Sequence, residues 1–165
     1  MNTLVAYFTK YGNTRTVASA VADVMAWNGE IRLLAVDRVT PEDLAWAEQV
    51  IVGSPTWYQA VPKPVKAAIK AWPKRSLKGK RFATFDTASE MWEPLMAMTA
   101  SKGVAGLLRR LKGRPLGKPA TFIVDTTEDP DHPDDREYNV VTLRDAAIGD
   151  ATAWAKEIAA AATRT

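Results

Sequence analysis

The chemistry in this chain concentrates first in Thr9, Lys10, Tyr11, Gly12, Asn13 and Thr14, a run of hydroxyls, a lysine and an amide around one glycine. Short polar side chains put hydrogen-bond donors close to the backbone, and glycine can take an angle closed to other residues. A phosphate monoester fits such donors. The run is preceded by the apolar stretch Thr3 to Phe8 and followed by Val17, Val21, Val24 and Met25 at helical spacing, so it sits at a helix N-terminus. There the first N–H groups are unpaired and the helix dipole favours an anion by about 0.3–1 kcal/mol. Taken alone, the stretch also fits a plain strand-to-helix turn with Asn13 or Thr14 as N-cap. A Walker loop is excluded, since no second glycine precedes Lys-Ser or Lys-Thr, and Gly12 does not belong to a Gly-x-Gly-x-x-Gly series.

Two further segments carry unusual side chains for loops. Gly53-Ser54-Pro55-Thr56-Trp57-Tyr58 places two large aromatics among turn residues, and an exposed pair of this kind calls for a flat partner. For Trp57 or Tyr58, folding back over the helix that opens at Pro64 is the competing assignment. Asp86-Thr87-Ala88-Ser89-Glu90-Met91-Trp92 ends in another indole. Its main-chain groups at Thr87 and Ala88 can read the edge of a planar heterocycle whatever the side chains. Trp92 could equally cap the core beside Met96 and Met98.

The elements that must position these loops alternate. Strands are predicted at Thr3–Phe8, Ile31–Val36, Val50–Val52, Arg81–Phe85 and Ala120–Val124, each a short apolar run. Between them lie helical stripes: one after Gly12; a short one opened by Thr40-Pro41-Glu42-Asp43; Val65, Ala68, Ile69 and Trp72; Val104, Leu107, Leu108 and Leu111; and finally Ala147, Ala151, Trp154, Ala155 and Ile158. This pattern predicts an α/β fold, a doubly wound five-stranded parallel sheet with helices on both faces and strand order 2-1-3-4-5. Ligands bind such sheets beyond the carboxyl ends of the strands where the order reverses, between the first and third strands. The loops after those two strands are the two most chemical ones.

With 165 residues, 47% hydrophobic and 25% charged, the expectation is a single domain over residues 1–165. Zero cysteines exclude thiolate metal sites, iron–sulfur ligation and Cys nucleophiles, and one histidine, His132, argues against a His-based metal site or triad. Redox chemistry would therefore need a bound organic cofactor. No apolar run approaches a membrane span and Met1 to Lys10 lacks signal-peptide features, so no membrane association and a cytoplasmic address are expected. The net charge of +3 is too small to indicate nucleic acid.

Thr9 to Thr14 resembles the phosphate loop of the flavodoxin family, Thr/Ser-x-Thr/Tyr-Gly-Asn-Thr, which binds the ribityl phosphate of FMN. Gly53 to Tyr58 resembles the family's second flavin loop, where Gly-Ser-Pro-Thr precedes an aromatic over the ring. The resemblance implies FMN as cofactor, with Thr9, Lys10, Tyr11, Gly12, Asn13, Thr14, Ser54, Pro55, Thr56, Trp57, Tyr58, Asp86, Thr87, Ala88 and Trp92 at the site. Thr56 would bond the phosphate and Trp57 would cover the ring. In the family a carbonyl just after the second-loop aromatic turns toward the flavin, a movement glycine eases. Here that neighbourhood is Tyr58-Gln59-Ala60. The third loop departs from the family in having no glycine between Gly79 and Gly103. Thr126 to Leu143 is too poor in apolar residues to read as the extra strand of a long-chain flavodoxin, so a short-chain form is expected.

The resemblance implies a monomeric electron carrier between redox partner proteins, without catalytic residues of its own and without bound metal. An FMN-dependent NAD(P)H or quinone reductase, or a porphyrinogen-oxidising relative, needs open space over the ring; a flavin-free docking module would be colourless. Charge is distributed unevenly. Lys63 to Arg81 and Lys102 to Lys118 carry only basic charges, whereas Glu128, Asp129, Asp131, Asp134, Asp135 and Glu137 follow the fifth strand. Flavodoxins are typically acidic and dock on basic reductases, and a pI of about 9.2 departs from that.

Overall fold

The structure, a computed structural model, describes residues 1–90, 98–132 and 139–164. Its strands are β1 (Thr3–Tyr7), β2 (Ile31–Ala35), β3 (Gln49–Pro55), β4 (Arg81–Ser89), β5 (Arg114–Pro115), β6 (Ala120–Thr127) and β7 (Val140–Leu143). The helices are α1 (Asn13–Met25), α2 (Pro41–Trp46), α3 (Lys63–Ala71), α4 (Ala100–Arg110) and α5 (Ala147–Thr163). Along the sheet the order is β2-β1-β3-β4-β6-β7. The first five of these are parallel, as the alternation predicts.

Two strands go beyond that prediction. β5 pairs Arg114 with Arg81, at the start of the same β4 edge that β6 occupies from Phe85 onward. Gly117, at φ 83°, lies in the turn between them. β7 pairs antiparallel with β6, Val124 opposite Leu143 and Thr127 opposite Val140. The expectation that Thr126–Leu143 contributes no strand is therefore corrected at its end. Val140, Val141 and Leu143 supply the apolar character, and an exposed edge strand needs only one covered face. Arg144 then grips Asp125 at 2.8 Å and Glu90 at 2.9 Å, pinning the edge.

Helices cover both faces. α1 and α5 bury Val17, Val21, Ala151, Ala155 and Ile158 over one, beside Val5, Ile51 and Phe85. α3 and α4 bury Val65, Ile69, Val104 and Leu108 over the other, beside Leu4, Val50 and Phe82. Alanines along α5 let two helix backbones approach closely where leucines would hold them apart. The short α2 is held by its predicted cap: Thr40 Oγ1 accepts from Asp43 N at 3.2 Å while Thr40 N donates to the Asp43 carboxylate at 3.0 Å. Such a reciprocal box stabilises a helix start by roughly 1 kcal/mol.

Strands β3, β4 and β6 each run further than their apolar stretches predict. Ser54 pairs with Asp86, Pro55 with Thr87, and Asp86 with Thr121, so polar side chains continue the ladder toward its carboxyl end. Gly53 is required by packing there, because a Cβ would lie 2.1 Å from the ring of the fully buried Phe85.

Candidate functional site

Beyond the carboxyl ends of β1, β3 and β4 lies a cleft of about 170 Å³, flanked by β6 and β7. Its floor is the turn from β1 into α1. Gly12 caps the helix at φ 90°, where an added Cβ would meet nothing within 4 Å. The backbone angle, not crowding, therefore selects glycine. Gly12 N donates to Thr9 Oγ1 at 2.9 Å, closing the loop on itself. The first helical bond runs from Thr16 N to Gly12 O, so the amides of Asn13, Thr14 and Arg15 open the helix with no intrahelical acceptor.

Thr14 is nearly inaccessible, and its hydroxyl meets that of Thr87 at 2.8 Å, joining α1 to the end of β4. The Asn13 side chain also reaches out of the loop. Its Nδ2 donates to Val141 O at 2.8 Å, so the side chain latches β7 onto the loop.

The opposite wall comes from the end of β3. Thr56 N donates to Thr87 O at 2.9 Å, and Thr56 Oγ1 accepts from Ala100 N at 2.8 Å. Trp57 and Ala60 exchange backbone hydrogen bonds of 3.1 and 2.9 Å around Tyr58 and Gln59, whose φ values are 48° and 56°. Two positive angles in a two-residue hairpin define a type I′ turn, normally built from Asn and Gly. The indole of Trp57, half-buried, packs edge-on against Phe8 with centroids 5.6 Å apart, and lines the cleft. Tyr58, 88% exposed, projects away from it.

Ten of the residues singled out by sequence line this cleft: Thr9, Lys10, Tyr11, Asn13, Thr14, Pro55, Thr56, Trp57, Thr87 and Ala88. Gly12 shapes the loop without lining the cleft. Ser54 and Asp86 do not line it. Both side chains are fully buried below it. Ser54 Oγ donates to Pro55 O at 2.9 Å. Asp86 Oδ2 accepts from Ser101 N at 2.6 Å and so holds the start of α4. Burial pushes the Asp86 carboxyl above the ordinary carboxylate range, against the lowering effect of the Ser101 amide. Its Oδ1 has no partner among the described residues. Trp92 lies outside the described residues. Ser89, Val124, Thr126 and Val141 complete the lining. Sequence reasoning missed them because they belong to strand ends and to the overlooked β7, where the short Val-Val-Thr-Leu run was the available signal.

The hydrogen-bond pattern shows which donors the cleft has left over. Thr9 and Thr56 each use the hydroxyl oxygen to accept a backbone amide, which leaves each O–H proton to donate elsewhere. One proton of the Thr14–Thr87 pair is left over in the same way. Hydroxyl protons and helix-start amides together form a donor set for an oxyanion. Lys10, its Nζ 5.0 Å from the Tyr11 ring centroid, adds positive charge to the rim. Among the described residues no group of acidic, His or Cys side chains is arranged to hold a metal, and no helix is long and apolar enough to cross a membrane.

Comparison with known proteins gives concordant matches. The family model described as "Flavodoxin domain" matches residues 4–103. A flavodoxin of Aquifex aeolicus is 47% identical over 55 residues, spanning 32% of this chain and 30% of that protein. A flavodoxin of Clostridium saccharobutylicum is 28% identical over 129 residues, 74% of this chain and 81% of that one. Among solved structures, a flavodoxin from the domain Archaea superposes with a TM-score of 0.73 at 20% identity, covering 97% of each chain. At that identity the structure shows the shared fold.

Proposed function

Because this chain belongs to the flavodoxin domain family, we propose that its cleft holds FMN and that the protein carries electrons between redox partners, in the cytoplasm. The observation that supports this most is the cradle itself. Hydroxyls of Thr9, Thr56 and the Thr14–Thr87 pair surround a helix start, with Trp57 on the facing wall. The residues fit the group: the donors suit the terminal phosphate, and the indole suits a planar ring. FMN supplies the electron-transfer chemistry; the protein binds and orients it.

The threonine hydroxyls and the amides of Asn13, Thr14 and Arg15 would hold the phosphate, Trp57 would cover the ring, and the main chain at Thr87 and Ala88 would meet its polar edge. Side-by-side titration with FMN and riboflavin tests the cradle. FMN should bind at least tenfold more tightly, and equal affinities would overturn the phosphate assignment.

A further inference from the structure

A second concavity, of about 530 Å³, runs between α3 and α4 on the sheet face away from α1. Lys66, Lys70, Lys102 and Arg110 line it, and it continues past Lys74 and Arg75 into an adjoining hollow that shares Lys70 and Arg110. No acidic side chain lines either hollow among the described residues. At its upper end the groove reaches Gln59 and Ala60, the second half of the hairpin whose first residue, Trp57, lines the flavin cleft. Two of the large apolar side chains exposed on this protein stand at that end, Tyr58 at 88% and Met98 at 55%. An exposed aromatic and a methionine beside a basic track have the anatomy of a docking face.

The groove floor points the same way. Gly103 is explained by internal packing, since a Cβ there would lie 2.5 Å from Val61 Cγ2. Gly106, in the same helix and also lining the groove, would meet nothing within 4 Å. Glycine is the poorest helix former after proline, and no contact among the described residues accounts for it. Its effect is to keep the floor open.

We propose that this groove docks an acidic redox partner protein, with Tyr58 and Met98 packing at the contact nearest the flavin. The proposal rests on the electron-carrier reading and inverts the charge relation usual for flavodoxins. Fields from lysine-lined clefts raise association rates by about 10–10³-fold and fade with salt. A small acidic [2Fe–2S] ferredoxin serves as probe and a basic c-type cytochrome as control, each titrated against the FMN-loaded protein at low and high ionic strength. The ferredoxin should bind at low salt and release as salt rises. Lys66→Glu with Lys70→Glu should weaken it at least tenfold at low salt, with the two proteins converging at high salt, and should leave FMN affinity unchanged. Gly106→Leu, which fills the floor without altering charge, should also weaken binding.

Ferredoxin binding that ignores the charge reversal, a preference for the cytochrome, or tighter binding of a DNA duplex through the same lysines would each overturn the proposal. The two readings fail separately. A protein that binds ferredoxin through Lys66 and Lys70 but takes up no FMN keeps the docking face and loses the carrier assignment. One that binds FMN and ignores ferredoxin does the reverse.

Discussion

The hydroxyls of Thr14 and Thr87 lie 2.8 Å apart across 73 residues of sequence, tying the first turn of α1 to the last turn of the β4 ladder. Both are almost wholly buried, so neither can exchange its partner for water. Thr14→Val leaves the Thr87 hydroxyl unpaired and should cost about 1–3 kcal/mol of stability. It should also weaken FMN binding about tenfold, the equivalent of roughly 1.4 kcal/mol. Thr14→Ser should keep both. Denaturant unfolding and FMN titration check this, and adding Thr87→Val to Thr14→Val should cost less than the sum of the single changes.

Trp57 provides the spectroscopic reporter. An indole along the ring should quench flavin emission, and stacking contributes about 0.5–1.5 kcal/mol beyond buried area. Trp57→Ala should therefore restore fluorescence to bound FMN and weaken its binding several-fold. Emission that stays quenched in the variant would overturn the assignment of the stacking role to Trp57.

The hairpin places its backbone strain at two residues, Tyr58 at φ 48° and Gln59 at φ 56°. Turning over the central peptide converts a type I′ turn into type II′, which keeps φ positive at the first central residue and calls for glycine there. The sensitive position is then Tyr58. Non-glycine residues in such regions cost about 1–3 kcal/mol, enough to shift a one-electron equilibrium about tenfold. Tyr58→Gly should ease addition of the first electron to bound FMN more than Gln59→Gly does, as stepwise reductive titration would show. An equal response to the two changes would refute the turn argument.

Asp86 makes a pH prediction whose sign follows from its raised pKa. The folded protein holds that proton more tightly than the unfolded chain, whose Asp titrates near 3.9. Its stabilising contribution is full below that value and is lost as pH rises through the folded pKa. Asp86→Asn keeps an acceptor for Ser101 N without the buried charge. It should remove this loss, so the variant matches or exceeds the parent at pH 8. Asp86→Val, which strands the Ser101 amide, should cost about 1–3 kcal/mol. Urea unfolding from pH 4 to 8 separates the two.

The parallel sheet and its switch point were legible because apolar runs and helical stripes each announce a buried face, and two chemical loops fell where the strand order reverses. Polar strand ends were not. Ser54 and Asp86 look like loop donors in sequence, and only the ladder pairing between them shows that they continue strands and face inward. Asn13 was read by proximity to Gly12, whereas its partner, Val141, lies 128 residues away. The hairpin at Tyr58 and Gln59 carries no turn signal of Asn or Gly at all. Long-range pairing fixes its geometry against local preference.

The amide of Asn13 reaching the carbonyl of Val141 also sets an order in time. Residues 9 to 14 leave the ribosome well before the strand that clasps them, whose Val141 follows Asn13 by 128 residues. A nascent flavodoxin-like domain halted before residue 140 would already contain every threonine of the phosphate loop and still lack the latch that holds that loop's asparagine. Removing β7 should therefore be felt at residues 9 to 14, far away in the sequence.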